Sequence, residues 1–349
     1  MKAIKVFYRD EQTVTDNTSF SPSAGKPAKV LASWQNLNVP IEQKSFKPIT
    51  RAHIALAHEI DHVEAILACR RSNGFGNTLP SVAKSLRYTT GSLAAAAIHA
   101  FKTKEICASL TSGFHHAGYS SASGFCTFNG LVIAAQMIRL YSPMHFGAVG
   151  ILDMDQHYGN GTDNIIQKLD LKYIKHWTLG SSNVNRSNAK KFFKKQFRKI
   201  LEENFSRVDV LIYQAGADPW INDPLGGRLT KKQLRLRDRM VFEFCRENKI
   251  GCAFNLAGGY APEFQNVLDI HNNTLIEAGI ACGLIPESRR ADCNIDDGVA
   301  RTHYEIEDDH DHEVQDSDEF HGISEQEVHA DEFGSIWDDM DSFNASYRK

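Results

Sequence analysis

Asp153-Met154-Asp155-Gln156-His157-Tyr158-Gly159-Asn160-Gly161-Thr162 follows directly on Gly147-Ala-Val-Gly-Ile-Leu152, a short apolar run containing β-branched residues. Such a run reads as a buried strand of a parallel sheet, so the polar residues begin where the strand ends. In an open α/β sheet the carboxyl ends of the strands border the ligand crevice. Alternation along an extended segment places Asp153, Asp155 and His157 on one side, which suits a divalent metal or a carboxylate–imidazole pair. The plainer alternative is a polar turn capping a strand, with Gly159 and Gly161 supplying the bend.

Three further segments repeat the pattern of an apolar run ending in glycines and a reactive side chain. Glu105 to Leu110 reads as a strand that delivers Gly113-Phe-His115-His116-Ala-Gly-Tyr, where a glycine-flanked loop can aim two rings into one crevice. Val208 to Tyr213 leads to Gln214-Ala-Gly-Ala-Asp218-Pro-Trp-Ile-Asn-Asp-Pro-Leu-Gly-Gly227, and Ile250 to Leu256 leads to Ala257-Gly-Gly-Tyr260. The four ends together offer His115, His116, Asp153, Asp155, His157, Asp218 and Tyr260. Two aspartates and a histidine would complete a three-ligand catalytic zinc site with a position open for water.

Around these ends the chain reads as helices and one further strand. Met1 to Tyr8 is too short and too soon charged for a signal peptide, and looks like a first strand. Ala28 to Asn36 and the alanine-rich Ser92 to Phe101 read as helices, as does Phe128 to Tyr141. Arg51 to Arg71 has near-helical apolar spacing and carries His53, His58 and His62; with no acid–base partner nearby, these histidines read as surface or packing residues. Lys190 to Leu201 reads as one amphipathic helix with Phe193, Phe197, Ile200 and Leu201 on one face and five cations largely on the other. It is either a solvated surface face or a docking site for phosphates or an acidic partner.

At 349 residues and 42% hydrophobic content the chain can bury a full core, and a single large α/β domain fits better than two small ones. No apolar run approaches the ~18 residues of a membrane span. Seven cysteines without a C-x-x-C pair favour a reducing, cytoplasmic compartment and argue against a structural zinc finger. The overall charge of −4 is unevenly spread: residues 286–349 hold 20 acidic and 5 basic side chains, a net of −15, leaving +11 to residues 1–285. The composition therefore predicts a folded domain over 1–285 and an acidic, disordered tail over 286–349. Within the tail, 331–343 sets Phe333, Ile336, Trp337, Met340 and Phe343 among carboxylates, which suggests aromatic anchors for a basic protein surface.

The segments G-F-H-H-A, S-G-F-C, D-M-D-Q-H-Y-G-N-G-T, G-A-D-P-W-I-N-D-P-L-G-G and A-G-G-Y, in that order, resemble the motifs of the histone deacetylase and acetylpolyamine amidohydrolase superfamily. The resemblance runs from about Ile4 to about Ile285 and implies the arginase-deacetylase fold, a three-layer α/β domain with a mostly parallel central sheet. It implies Asp155, His157 and Asp218 as ligands of one catalytic Zn²⁺, with hydroxamate sensitivity. It implies His115 and His116 as the tandem pair, backed by Asp153 and Asn160 respectively, with His115 staying protonated and His116 serving as base. Tyr260 would stabilise the oxyanion, and Gly124, Phe125, Gly258 and Gly259 would line the substrate tunnel. A structural monovalent cation, K⁺, is implied near Asp153. The expected substrate is an acetylated protein or peptide lysine, with histones engaged through the acidic tail and a role in chromatin regulation.

Two positions depart from the family pattern. Tyr158 stands where many members have a second histidine, and no aromatic can be placed after Trp177 as the second tunnel wall. Asn160, rather than an aspartate, places the chain nearer class II and bacterial relatives. An acetylpolyamine deacetylase and a binding protein on a catalytically weak deacetylase fold remain as alternatives at this level. An arginase-type two-metal enzyme fits less well, since the motifs supply too few carboxylates.

Overall fold

The computed structural model describes residues 2–142 and 147–298. The chain divides into a compact unit over residues 1–300 and a second unit over 301–349. The second unit, with the aromatic–acidic segment 331–343, lies outside the described residues. Among the described residues seven strands form one sheet: β1 (Ile4–Phe7), β2 (Ile41–Lys44), β3 (Ile106–Ser112), β4 (Val149–Asp153), β5 (Ile174–Thr178), β6 (Val210–Gln214) and β7 (Gly251–Ala257). Their order is β2-β1-β3-β7-β6-β4-β5, and every neighbouring pair is parallel. The expected α/β class and mostly parallel sheet are therefore observed.

The crossovers are made by α1 (Lys26–Gln35), α2 (Arg51–Ile54), α3 (Ile60–Leu67), α4 (Pro80–Thr103), α5 (Gly130–Tyr141), α6 (Asn160–Lys168), α7 (Ala189–Lys195), α8 (Phe197–Phe205), α9 (Lys231–Glu247) and α10 (Phe264–Ala281). Strand alternation divides the side chains between two apolar layers. On one face Val149, Ile151, Val210, Ile212 and Ala253 pack with α3, α4, α5 and α6. On the other Leu152, Leu211, Tyr213, Cys252 and Phe254 pack with α1 and α7 to α10. Strands covered on both faces favour apolar residues at nearly every position, which is why β4 and β6 read as apolar runs up to their last residue and β7 is interrupted only by the buried Asn255.

Several boundaries differ from the sequence reading, each for a physical reason. Arg51 to Arg71 is not one helix: it breaks between α2 and α3, where the Glu59 N–H donates to Tyr119 O at 2.9 Å and the His58 ring takes the Asn129 N–H. Lys190 to Leu201 breaks at Gln196 into α7 and α8, and the break lets Phe192, Phe193, Phe197 and Leu201 all be buried. Lys190, Lys191, Lys194 and Lys195 stay exposed.

Residues 286–298, assigned to the tail by composition, continue the fold. A 3₁₀ turn spans Glu287–Asp292, Arg290 pairs with the buried Glu277 at 3.1 Å, and Cys293 is buried. Asp297 Oδ1 accepts from Trp220 Nε1 at 2.9 Å and from the Lys231 N–H at 2.7 Å. Charge counting puts these residues in a solvated tail because it cannot see that their acids already have partners. All seven cysteines are free, and no described helix is long and apolar enough to cross a membrane.

Candidate active site

The residues singled out in the sequence come from β3, β7, β6 and β4, which are consecutive neighbours in the sheet. Parallel strands place their carboxyl ends on one edge, so the four loops converge without further contrivance. Asp155, His157 and Asp218 offer ligand atoms that all lie within 4.8 Å of one another. Backbone amides hold both carboxylates: the Gly258 N–H donates to Asp155 Oδ2 at 2.8 Å, the His157 N–H to Asp155 Oδ1 at 3.1 Å and the Gln156 N–H to Asp218 Oδ1 at 3.2 Å. The His157 ring faces both, with Nδ1 3.2 Å from Asp155 Oδ1 and 3.3 Å from Asp218 Oδ2.

Asp218 Oδ2 is buried yet accepts no hydrogen bond. Burial first and Asp155 second push the Asp218 carboxyl up to about 8. Burial lowers His157, but the two carboxylates more than reverse this and raise it to about 11. Two crowded buried carboxylates, an unpartnered oxygen and an imidazole nitrogen make a donor set that fits a divalent cation. Gly258 makes this crowding possible, since a Cβ there would come within 2.2 Å of Asp218 Oδ2.

His115 and His116 lie side by side, with ring centroids 4.1 Å apart. His115 Nδ1 donates to Asp153 Oδ2 at 2.7 Å, and His116 Nδ1 donates to Asn160 Oδ1 at 2.7 Å. The two partners act differently. Burial depresses His115, but the Asp153 and Asp155 carboxylates outweigh it and raise the ring to about 9. His116 is lowered by burial and then by the neighbouring His115 charge, which its amide partner does not offset. Asn160 opens α6, and the Thr162 N–H in the same turn donates to His115 O at 3.0 Å, tying the histidine loop to that helix. Gly124, at φ +54°, passes over His116 where a Cβ would meet the ring at 2.4 Å.

Tyr260 faces this cluster from the β7 loop. Burial, then Asp155 and Asp218, hold its phenol well above the usual range, so it is a neutral hydrogen-bond donor. Its ring begins an aromatic row: Phe125 lies 5.6 Å from it, and Phe75 and Phe20 lie 6.0 and 5.2 Å from Phe125. Phe20 is 77% exposed, so the row runs from solvent to the site. Three separate loops supply the phenylalanines. Trp177 does not join them, because it stacks on Phe192 at 6.3 Å and 14° on the helical side. No aromatic between Trp177 and Phe192 is present to join the row, which is made by Phe20, Phe75, Phe125 and Tyr260.

A model of the histone deacetylase domain matches residues 23–175. The crystal structure of the HDA15 HD domain superposes with a TM-score of 0.64 at 19% identity, covering 82% of this chain and 91% of that one. The family model supports a histone-deacetylase-type domain over residues 23–175, and the solved structure supports its fold. Acetylpolyamine aminohydrolase from Burkholderia pseudomallei shares the fold at a TM-score of 0.62 and 15% identity, covering 80% of this chain and 99% of its own. An uncharacterized protein of Picosynechococcus sp. is 27% identical over 243 residues, 64% of this chain and 80% of its own length. Histone deacetylase 5 of Arabidopsis thaliana is 30% identical over 131 residues, which span 20% of its length.

Several side chains of this site were not legible in the sequence. Gln214 Nε2 donates to Asp153 Oδ1 at 2.8 Å, and its Oε1 accepts from the Phe114 N–H at 3.3 Å, joining three of the four strand ends. Its place directly after an apolar strand was the available signal. Arg237, fully buried on α9, donates to Gly216 O at 2.6 Å and pairs with Asp238 at 2.8 Å. A cation inside a helical pattern gives no hint that it is buried. Phe20 and Phe75 reach Phe125 only through tertiary folding.

Proposed function

We propose that the chain is a zinc-dependent hydrolase that removes acetyl groups from lysine side chains of proteins or peptides. The observation that carries this reading is the split histidine pair beside the Asp155/His157/Asp218 donor set: one ring is raised by a carboxylate and the other lowered beside an amide. Zn²⁺ held by Asp155, His157 and Asp218 would polarise the acetyl carbonyl and lower the pKa of the attacking water. His116, held by Asn160 as the Nδ1–H tautomer, presents an unprotonated Nε2 that takes the proton of that water. As the water oxygen bonds to the carbonyl carbon, the Tyr260 hydroxyl donates to the developing oxyanion. Protonated His115 adds positive charge nearby. His116 then returns the proton to the lysine nitrogen as the C–N bond breaks, giving acetic acid and the amine, which part as acetate and the lysine ammonium. Phe125, with Gly124 and the Gly258-Gly259 pair, lines the channel for the lysine methylenes.

The presence of His116, Asn160 and Tyr260 together argues against a catalytically silent scaffold. Asp153 Oδ1 already accepts two hydrogen bonds and Oδ2 one, so a K⁺ ion beside it would draw most of its oxygens from backbone carbonyls. The acidic segment beyond the described residues is proposed to engage basic proteins such as histones. Comparing kcat/KM on acetylated histone-tail peptides with that on acetylputrescine and acetylspermidine tests the substrate. The peptides should be favoured; a large excess for the polyamines would overturn the assignment.

A further inference from the structure

The Tyr260 loop leaves the sheet through backbone that L-residues rarely adopt. Ala257 has φ +48° and Gly259 has φ +142°. A short segment strained in this way keeps one conformation only if its surroundings over-determine it. The restraints come from three charged side chains outside β7. Lys26, the fully buried first residue of α1, donates from Nζ to Ala257 O and, at 3.1 Å, to Gly258 O. Asp155 Oδ2 accepts the Gly258 N–H. Asp223 Oδ2 accepts the Tyr260 N–H at 2.6 Å, while its Oδ1 accepts the Leu225 N–H at 3.0 Å.

Asp223 is itself fixed within a tight turn. Its N–H donates to Trp220 O at 3.0 Å and its carbonyl accepts the Gly226 N–H at 3.1 Å. It is 6% exposed. Its carboxylate therefore bonds the Tyr260 amide from a rigid base, and neither it nor Lys26 supplies an atom to the metal-type cluster.

We propose that Asp223 and Lys26 are positioning residues that clamp the Ala257–Tyr260 segment at both ends and so hold the Tyr260 hydroxyl over the reacting carbonyl. The proposal rests on Tyr260 acting as the oxyanion donor. A charged acceptor on the Tyr260 amide makes a short hydrogen bond that a neutral side chain weakens, and loss of a supporting contact of this kind typically costs about 10–100-fold in activity.

Full-length Asp223→Asn, alone and combined with Tyr260→Phe, tests the clamp by acetyl-lysine peptide kinetics and by hydrogen exchange of the peptides spanning 113–118 and 257–262. The expected result is faster exchange at 257–262 but not at 113–118. It should come with a loss in kcat of about tenfold or more, little change in KM, and almost no further loss when Tyr260→Phe is already present. Equal losses in both backgrounds would overturn the proposal, as would unchanged exchange at 257–262. Asp223→Glu, which keeps the charge and displaces the oxygens by one methylene, carries the same expectation should Asp223→Asn fail to fold. If Tyr260→Phe alone kept normal turnover, the oxyanion assignment would fall, and the exchange comparison would still judge the clamp.

Discussion

Among the described residues, His58 with His62 and His115 with His116 are two histidine pairs set in different surroundings. His58 and His62 have ring centroids 6.0 Å apart, against 4.1 Å for His115 and His116. His58 Nδ1 donates to Tyr119 O at 3.3 Å and its Nε2 accepts the Asn129 N–H at 2.8 Å, while His62 Nδ1 accepts from Arg71 at 2.9 Å. Burial, with His62 alongside, lowers His58 to about 3, and burial with the Arg71 guanidinium lowers His62 to about 4, so both stay neutral. In the second pair the Asp153 and Asp155 carboxylates raise His115 against burial, whereas burial and the His115 charge lower His116 by more than its amide partner restores. Residue type is the same in the two places; a carboxylate partner sets His115 apart as the ring that can hold a proton, and leaves the partly buried His116 beside it as the ring that can take one.

Substitutions should separate the pairs, beginning with the largest effect. His116→Ala should lower kcat on an acetyl-lysine peptide by about 10²–10⁴, the range for removal of a general acid–base. Tyr260→Phe should cost about 2.7–4 kcal/mol of transition-state stabilisation with metal content unchanged. Asn160→Ala leaves His116 in place without its orienting acceptor, and should cost about 10–100-fold. His62→Ala should leave turnover of the folded protein close to normal and instead lower stability by about 2–3 kcal/mol, through a cavity and an unpartnered Arg71. A His62→Ala loss of turnover as deep as that of His116→Ala, in folded protein, would dissolve the distinction.

The smallest expected effect is on acid stability. His58 and His62 have folded values below the 6.5 of a free imidazole, so the unfolded chain takes up their protons first. Stability from these groups is complete above about 6.5 and is lost as pH falls toward 4 and then 3. His62→Leu should flatten that limb of a melting-temperature profile; an unchanged acid limb would show that His62 is not neutral in the folded state.

The comparison also shows what the sequence could carry. The four strand ends were legible because a strand buried on both faces is a nearly unbroken apolar run, and because the polar residues start where it stops. That placed His115, Asp153, Asp155, His157, Asp218 and Tyr260 on one edge without reference to their partners. Helical spacing, in contrast, suggested single helices over Arg51 to Arg71 and Lys190 to Leu201. Spacing records which side chains are apolar, not which backbone groups find other partners, as Glu59 does with Tyr119. Lys26, Gln214, Asp223 and Asp297 escaped for the same reason. Each is polar, each acts through a contact distant in sequence, and nothing adjacent to it announces that contact.

The central claim is that the buried Asp155/His157/Asp218 set holds a divalent metal on which hydrolysis depends. Protein stripped of metal by a chelator should lose turnover on an acetyl-lysine peptide and regain it on stoichiometric Zn²⁺, whereas Asp218→Ala, treated identically, should neither retain the metal nor recover. Metal-free wild-type protein that hydrolysed the peptide at the full rate would contradict the account.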